Sequence, residues 1–254
     1  MTRKKLPIGI QTFAKLREDD CYYVDKTGFA RRLIAEGTHY ILSRPRRFGK
    51  SLLVDTLAEL FAGNEPLFRG LEIHPHWDWS IRYPVIRFSF GGGIVQDAEE
   101  LDRKIWQQLR ANQAALGLSC AEPTISGCFS ELLAVAHTAT GQRAVVLVDE
   151  YDKPLLDNLT HTERARSLRD RLRNLYSVIK DSDAHVRFAL LTGVSKFSKV
   201  SLFSDLNNLR DITLSRAYSA ICGYTDADVE TVFAPELAGL DARNFSLRLE
   251  TTFT

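Results

Sequence analysis

The chain has 254 residues, 44% of them hydrophobic and 26% charged, with 33 Lys and Arg against 32 Asp and Glu. Those totals describe a soluble globular protein long enough to bury a full α/β core, as one large domain or one domain with a small appendage. A net charge of +1 excludes a global attraction to nucleic acid or anionic lipid, so any such attraction has to be local.

The N-terminal residues 7–38 carry a short extended piece at 21–24 and a helix over 28–36 that ends at Gly37. Tyr40, Ile41 and Leu42 form an apolar run that reads as a buried strand, leading into Ser43-Arg44-Pro45-Arg46-Arg47-Phe48-Gly49-Lys50-Ser51. Leu52, Leu53, Leu57, Leu60 and Phe61 then recur at helical spacing, and Gly63 and Asn64 close that helix. A strand is expected over 84–90, stopped by Gly91, Gly92 and Gly93, with helices near 96–116 and 127–138. Residues 144–148 make the clearest strand, a continuous apolar run suited to a parallel sheet covered on both faces. An arginine-rich helix follows at 162–180, then a strand at 186–192, and 212–214 supplies a last short strand. Strands alternating with helices imply an α/β fold with a mainly parallel sheet flanked by helices. The chain divides into an N-terminal segment at 1–38 packing on the core, a core at 39–220, and the start of a helical lid at 221–254.

The run from Arg44 to Ser51 lies between a strand and a helix. A helix start presents unpaired N–H groups and positive partial charge, which suits a polyphosphate. Lys50 is placed to reach the β- and γ-phosphates, the Ser51 hydroxyl to ligate Mg²⁺, and Gly49 to let the backbone come close. Arg44, Pro45, Arg46, Arg47 and Phe48 complete the candidate nucleotide-binding loop. The strict G-x-x-x-x-G-K-[ST] pattern is not met, because Arg44 stands where glycine is expected. Taken alone, the loop reads more simply as a solvated basic cap on a helix.

Asp149 and Glu150 stand directly after the apolar run of the 144–148 strand. Carboxylates at the C-terminal end of a parallel strand face the crevice where ligands bind in open α/β sheets. Asp149 is the expected partner of Ser51 in holding Mg²⁺, partly through water, and Glu150 the expected general base on the attacking water. Thr192 ends the later apolar strand and is the first choice for a group that senses the γ-phosphate, with Ser195 behind it; a Thr bonded to a neighbouring turn is the plain alternative. A phosphate loop and a distant acidic strand end in one α/β pattern together point to nucleotide binding far more specifically than either does alone.

Elsewhere the residue types have simpler explanations. Cys21, Cys120, Cys128 and Cys222 show no CxxC pairing and no His at zinc spacing, so reduced, mostly buried thiols of a cytoplasmic protein are expected. The N-terminus MTRKKLPIG lacks the apolar run of a signal peptide, and no stretch approaches the roughly 18 apolar residues of a membrane helix. Arg164, Arg166, Arg169, Arg171 and Arg173 make a solvated basic face, or one of them a finger toward a neighbouring subunit. His74, His76, Trp77 and Trp79 read as a Pro-broken aromatic surface loop, with a metal or stacking site as the alternative, and Lys196 and Lys199 as solvated lysines with phosphate or nucleic acid as the alternative.

The stretches Leu6-Pro7-Ile8-Gly9-Ile10, Tyr23-Val24-Asp25-Lys26-Thr27, the loop from Arg44 to Ser51, and Val148-Asp149-Glu150-Tyr151-Asp152-Lys153-Pro154 carry a resemblance. So do Leu191-Thr192-Gly193-Val194-Ser195-Lys196-Phe197, Asn207-Asn208-Leu209-Arg210-Asp211-Ile212-Thr213 and Gly223-Tyr224-Thr225. In that order, from about 6 to about 240, the chain resembles the predicted AAA-ATPase-like family. That family is found mainly in bacteria and is often fused to a PD-(D/E)XK nuclease-type domain. The resemblance implies a P-loop NTPase fold of the additional-strand, catalytic-glutamate class, with ATP and Mg²⁺ as ligands. It carries over Lys50, Ser51, Asp149 and Glu150 as nucleotide-site residues and Thr192 as sensor, and it accommodates the missing first glycine. Asp25 and Lys26 fall in one of its motifs without a derivable role beyond holding the N-terminal segment against the adenine side.

The last residues, 242–254, depart from the family's pattern and contain no PD…(D/E)xK constellation, so the chain looks like a truncated member. The expected activity is that of a regulatory or motor ATPase module. The alternatives are a non-hydrolysing nucleotide switch and a nucleic-acid-binding module using Arg44, Arg46 and Arg47. A homo-oligomer, and nucleic acid reached through a nuclease-type domain absent from this chain, are the further partners left open.

Overall fold

The computed structural model describes residues 3–195, 202 and 208–238. Two short helices, α1 (Phe13–Glu18) and α2 (Thr27–Glu36), precede β1 (His39–Ser43), which runs through the phosphate loop into α3 (Lys50–Phe61). Then come β2 (Val85–Ser89), the long helices α4 (Ala98–Leu116) and α5 (Ile125–Thr140), and β3 (Ala144–Asp149). The short α6 (Lys153–Leu156), α7 (Thr162–Asp181), β4 (Val186–Gly193) and β5 (Arg210–Asp211) follow, and α8 (Asp226–Val232) and α9 (Ala234–Leu237) close the described chain.

The strands form one sheet in the order β2-β3-β4-β1-β5, and every pairing is parallel. β4 therefore lies between the phosphate-loop strand and the acidic strand, as the additional-strand class requires. Alternation explains the layers: successive side chains of a strand point to opposite faces. Val146 and Val148 join Ile86, Phe88, Ala189 and Leu191 under α4, α5 and α7. Val145 and Leu147 join Tyr40, Leu42, Phe188 and Leu190 under α3 and the N-terminal elements. Each such Val or Leu contributes roughly 1.5–3 kcal/mol by leaving water, so a sheet covered on both sides holds its strand ends firmly. This is the P-loop NTPase-like fold, an α/β arrangement with a five-strand all-parallel sheet flanked by helices.

Helix ends follow local chemistry. The Asp97 carboxylate accepts from Glu100 N at the start of α4, and Thr124 Oγ1 accepts from Gly127 N at the start of α5. At α8, Thr225 and Asp228 form a reciprocal capping box.

Four sequence expectations change. The last strand is Arg210–Asp211, two residues before the expected 212–214; Ile212 instead ends in the core, where it packs with Tyr40 and Leu42. Of the expected extended piece at 21–24, only an isolated bridge forms, Cys21 with Lys5, and α1 precedes it where no helix was expected. The aromatic stretch at 74–79 is no simple surface loop: Trp77 meets the edge of Phe61 at 5.4 Å, and Trp79 lies 5.3 Å from Phe68. Cys120 and Cys128 are joined by a disulfide, because the turn between α4 and α5 brings their Cα atoms to 5.4 Å; Cys21 and Cys222 are free and buried. Lys196 and Lys199 lie outside the described residues.

Candidate functional site

The phosphate loop leaves β1 at Ser43, whose N–H donates to Thr213 Oγ1 at 3.0 Å, and Arg44 N donates to the Gly193 carbonyl at 3.0 Å. Two residues take the left-handed backbone, Arg47 (φ 62°) and Gly49 (φ 82°), and Gly49 then stands at the N-cap of α3. Residues 45–49 are exposed. The loop thus lies at the surface, just ahead of the start of α3, where a polyphosphate can reach it.

Lys50 is buried, with its ammonium donating to the carbonyls of Arg44 at 3.0 Å and Pro45 at 2.8 Å. Burial lowers its pKa, against the opposing pull of Asp149 and Glu150. Arg44 turns its guanidinium away from the loop's mouth, donating to the carbonyls of Ser43, Thr213 and Tyr218. At the position where a glycine was expected, this side chain braces the loop against the segment after β5.

The acidic end is ordered from within. Thr192 Oγ1 donates to Asp149 Oδ1 at 2.6 Å, and both residues are buried. Asp149 Oδ2 accepts no hydrogen bond among the described residues, which leaves it open to a water or an ion. Glu150 takes a positive φ of 54°, a conformation costing a non-glycine residue about 1 kcal/mol or more. Its carboxylate forms no hydrogen bond or ion pair among the described residues and lies over the backbone after β2: a Cβ built on Gly91 would stand 3.4 Å from Glu150 Oε2. Lys104 and Lys153 brace that glycine turn, donating to the carbonyls of Gly92 and of Gly93.

Mg²⁺ takes oxygen donors and keeps several waters. The Ser51 hydroxyl at the start of α3 and the open Asp149 oxygen are donors of that kind, so the residues fit the ion. Among the described residues no group of three or more His, Cys, Asp or Glu could hold a metal by itself.

Beside the loop, the two ends of the described chain meet. Lys26 pairs with Asp228 at 2.6 Å, with both side chains mostly shielded. Asp25 accepts from Thr27 N and Oγ1 and from Glu72 N, which fixes the start of α2. The turn at 222–224 leans on the loop itself: a Cβ on Gly223 would stand 2.7 Å from Phe48 Cε1. Burial pushes the Cys222 thiol up to about 12, so it stays protonated next to the loop.

Several contributors escaped the sequence reading. Asp152, Tyr151, Gly193 and Thr213 all hold the site's backbone, yet each depends on which strands are neighbours. The one local signal was a third acid, Asp152, within four residues of Asp149. Two of the α7 arginines are engaged elsewhere: Arg171 pairs with Asp102 at 3.2 Å and Arg169 with Asp170 at 3.1 Å.

A family model described as Predicted AAA-ATPase matches residues 7–203. A protein of Azotobacter chroococcum mcd 1, described as "Uncharacterized protein in vnfD 5'region", is 70% identical over 242 residues, 95% of this chain and 47% of the relative. The chain therefore spans about half the length of that relative. Among the described residues, no helix is long and apolar enough to cross a membrane.

Proposed function

Since the chain belongs to the predicted AAA-ATPase family, we propose that it binds ATP with Mg²⁺ at the ends of β1, β3 and β4 and hydrolyses the γ-phosphate. One observation supports this above the others: the end of β4 ties the two halves together, its Gly193 carbonyl accepting from Arg44 N at 3.0 Å and its Thr192 hydroxyl donating to Asp149 Oδ1 at 2.6 Å. Cation, hydroxyl and carboxylates from separate strands at one sheet edge are what a polyphosphate and its metal require.

In this reading, Lys50 exchanges its loop carbonyls for phosphate oxygens, and the backbone N–H groups from Arg46 to Gly49 take the rest of the tail. Ser51 and Asp149 would hold the ion, which supplies charge neutralisation of the phosphate oxygens when bound. Glu150, with no partner among the described residues, accepts the proton of the attacking water. Thr192 keeps Asp149 oriented through its 2.6 Å hydrogen bond and senses the γ-phosphate through that link. Arg44 contributes backbone and shape to the loop, its guanidinium being engaged with carbonyls. A regulatory or motor role, cytoplasmic residence and a homo-oligomeric state belong to the same reading.

The test is ATP binding and phosphate release by the whole chain and by Lys50→Ala. Loss of both in the variant supports the site, whereas equal ATP binding by the two proteins rejects it. If ATP binds tightly without phosphate release, and Glu150→Gln leaves that behaviour unchanged, the chain is a nucleotide switch.

A further inference from the structure

Asp152 is the least solvent-accessible acid of the candidate site, at 0% exposure, and the proposed chemistry does not use it. It occupies the N-cap position of α6, where an aspartate ordinarily accepts from the N–H groups of its own helix. No such bond forms. Its carboxylate turns to the neighbouring strand end instead, and Oδ2 accepts from Val194 N at 3.0 Å and Ser195 N at 2.6 Å.

Three further bonds join the same two segments. Tyr151 N donates to the Thr192 carbonyl at 2.9 Å, Tyr151 Oη donates to the Ser195 carbonyl at 2.8 Å, and Thr192 Oγ1 reaches Asp149. The Gly193 carbonyl in turn receives Arg44 N from the phosphate loop. The close approach demands the glycine: a Cβ built there would stand 2.7 Å from Asp152 Oδ1 and would overlap the Tyr151 ring. The backbone at 193–195 is thus held between the acidic turn on one side and the phosphate loop on the other.

We propose that Asp152 is a positioning residue for the phosphate chemistry, fastening the backbone of Val194 and Ser195 to the acidic turn so that Thr192, Asp149 and the start of the phosphate loop keep one register. The inference rests on the ATPase reading above and deepens it. What the site needs from Asp152 is an oxygen in the right place rather than a charge. An asparagine can supply that oxygen, with two lone pairs for the same two N–H donors, and an alanine cannot. Displacement of reacting groups by about 1 Å can cost on the order of a hundred-fold in rate, so the effect belongs in turnover.

The experiment measures steady-state phosphate release and ATP binding for the whole chain and for Asp152→Ala, Asp152→Asn and Gly193→Ala. Tyr176→Phe is the control, since it removes a hydrogen bond to the Tyr151 carbonyl from the far side of the same turn. Expected are a fall in kcat of about ten-fold or more for Asp152→Ala and Gly193→Ala, with KM for ATP within about three-fold. Asp152→Asn recovers to within about three-fold of wild-type kcat, and Tyr176→Phe keeps wild-type turnover whatever its melting temperature does. Gly193→Ala carries the test if Asp152→Ala does not fold. Unchanged kcat in the variant that folds, equal losses in kcat and in ATP binding, or an Asp152→Asn as impaired as the alanine variant overturns the proposal. A wild type that binds ATP but releases no phosphate overturns it while leaving nucleotide binding intact. A wild type that binds no ATP removes the parent reading with it.

Discussion

The two halves of the candidate site are built differently, although they meet at one sheet edge. The acidic half, at the ends of β3 and β4, is cross-tied by Thr192, Tyr151 and Asp152, and the Asp149 carboxylate and the turn that carries Glu150 are set before any ligand arrives. The phosphate half is an exposed loop whose lysine is engaged with its own carbonyls. Catalytic groups benefit from being preorganised, because no reorganisation is then needed as charge develops. A binding loop can instead hold its cation internally and release it on ligand entry, at a cost in affinity. Turnover should therefore answer mainly to changes in the acidic half, and binding mainly to changes in the loop.

The largest expected effect breaks the site on its acidic side. Glu150→Gln should lower phosphate release on the order of a thousand-fold while ATP affinity, read by equilibrium titration, stays within about three-fold. A comparable loss of affinity would erase the distinction between the halves. Next comes Lys50→Ala, which should weaken ATP binding on the order of a hundred-fold, as expected for a charge-assisted contact. Calorimetric titration with MgATP checks it.

Thr192→Val keeps shape and removes the hydroxyl from Asp149. It should cost about ten-fold in turnover, with little change in binding of ADP. If ADP binding falls equally, Thr192 supports the loop and not the acidic half.

The smallest effect is one of stability, and its sign follows from burial. Desolvation raises the Asp152 carboxyl pKa, against the opposing bonds from Ser195 and Val194 and the Lys50 charge. A carboxyl raised in the fold stabilises below the ordinary aspartate range, and that contribution is lost as pH rises through the shifted value. Asp152→Asn, fixed in the neutral form, should therefore melt at or about 2 °C above wild type at neutral pH. The gap should close as pH falls into the ordinary aspartate range. Scanning calorimetry across that interval checks it, and a lower melting point at neutral pH would mean that the charge itself is stabilising.

Most of the sheet was legible because buried parallel strands are written as unbroken apolar runs, and β1, β3 and β4 were all found near their true limits. β5 was not, since its two paired residues are Arg210 and Asp211, both exposed, and the apolar Ile212 beyond them belongs to the core rather than to the ladder. Asp149 and Glu150 could be read from their place after an apolar strand. The diversion of Asp152 from its own helix could not: the additional-strand pattern implies β4 beside β3, but nothing in the spacing says that an aspartate at a helix start accepts from Val194 and Ser195 instead. The same limit hid Arg44: its carbonyl partners lie some 170 residues further along the chain. The bond between Cys120 and Cys128 was invisible for a different reason, since their spacing of eight matches no recognisable motif and only the reversal between α4 and α5 brings them together.

The Lys26–Asp228 ion pair makes the first thirty residues and the last described helices answerable to each other. Tyr22 reaches Glu236 at 3.1 Å and stacks near Phe233, so the seam extends beyond that one pair. A fragment begun at the first sheet strand would strand Asp228 without its cation and bare the tyrosine's bed. Expression boundaries chosen at either terminus are thus choices about both.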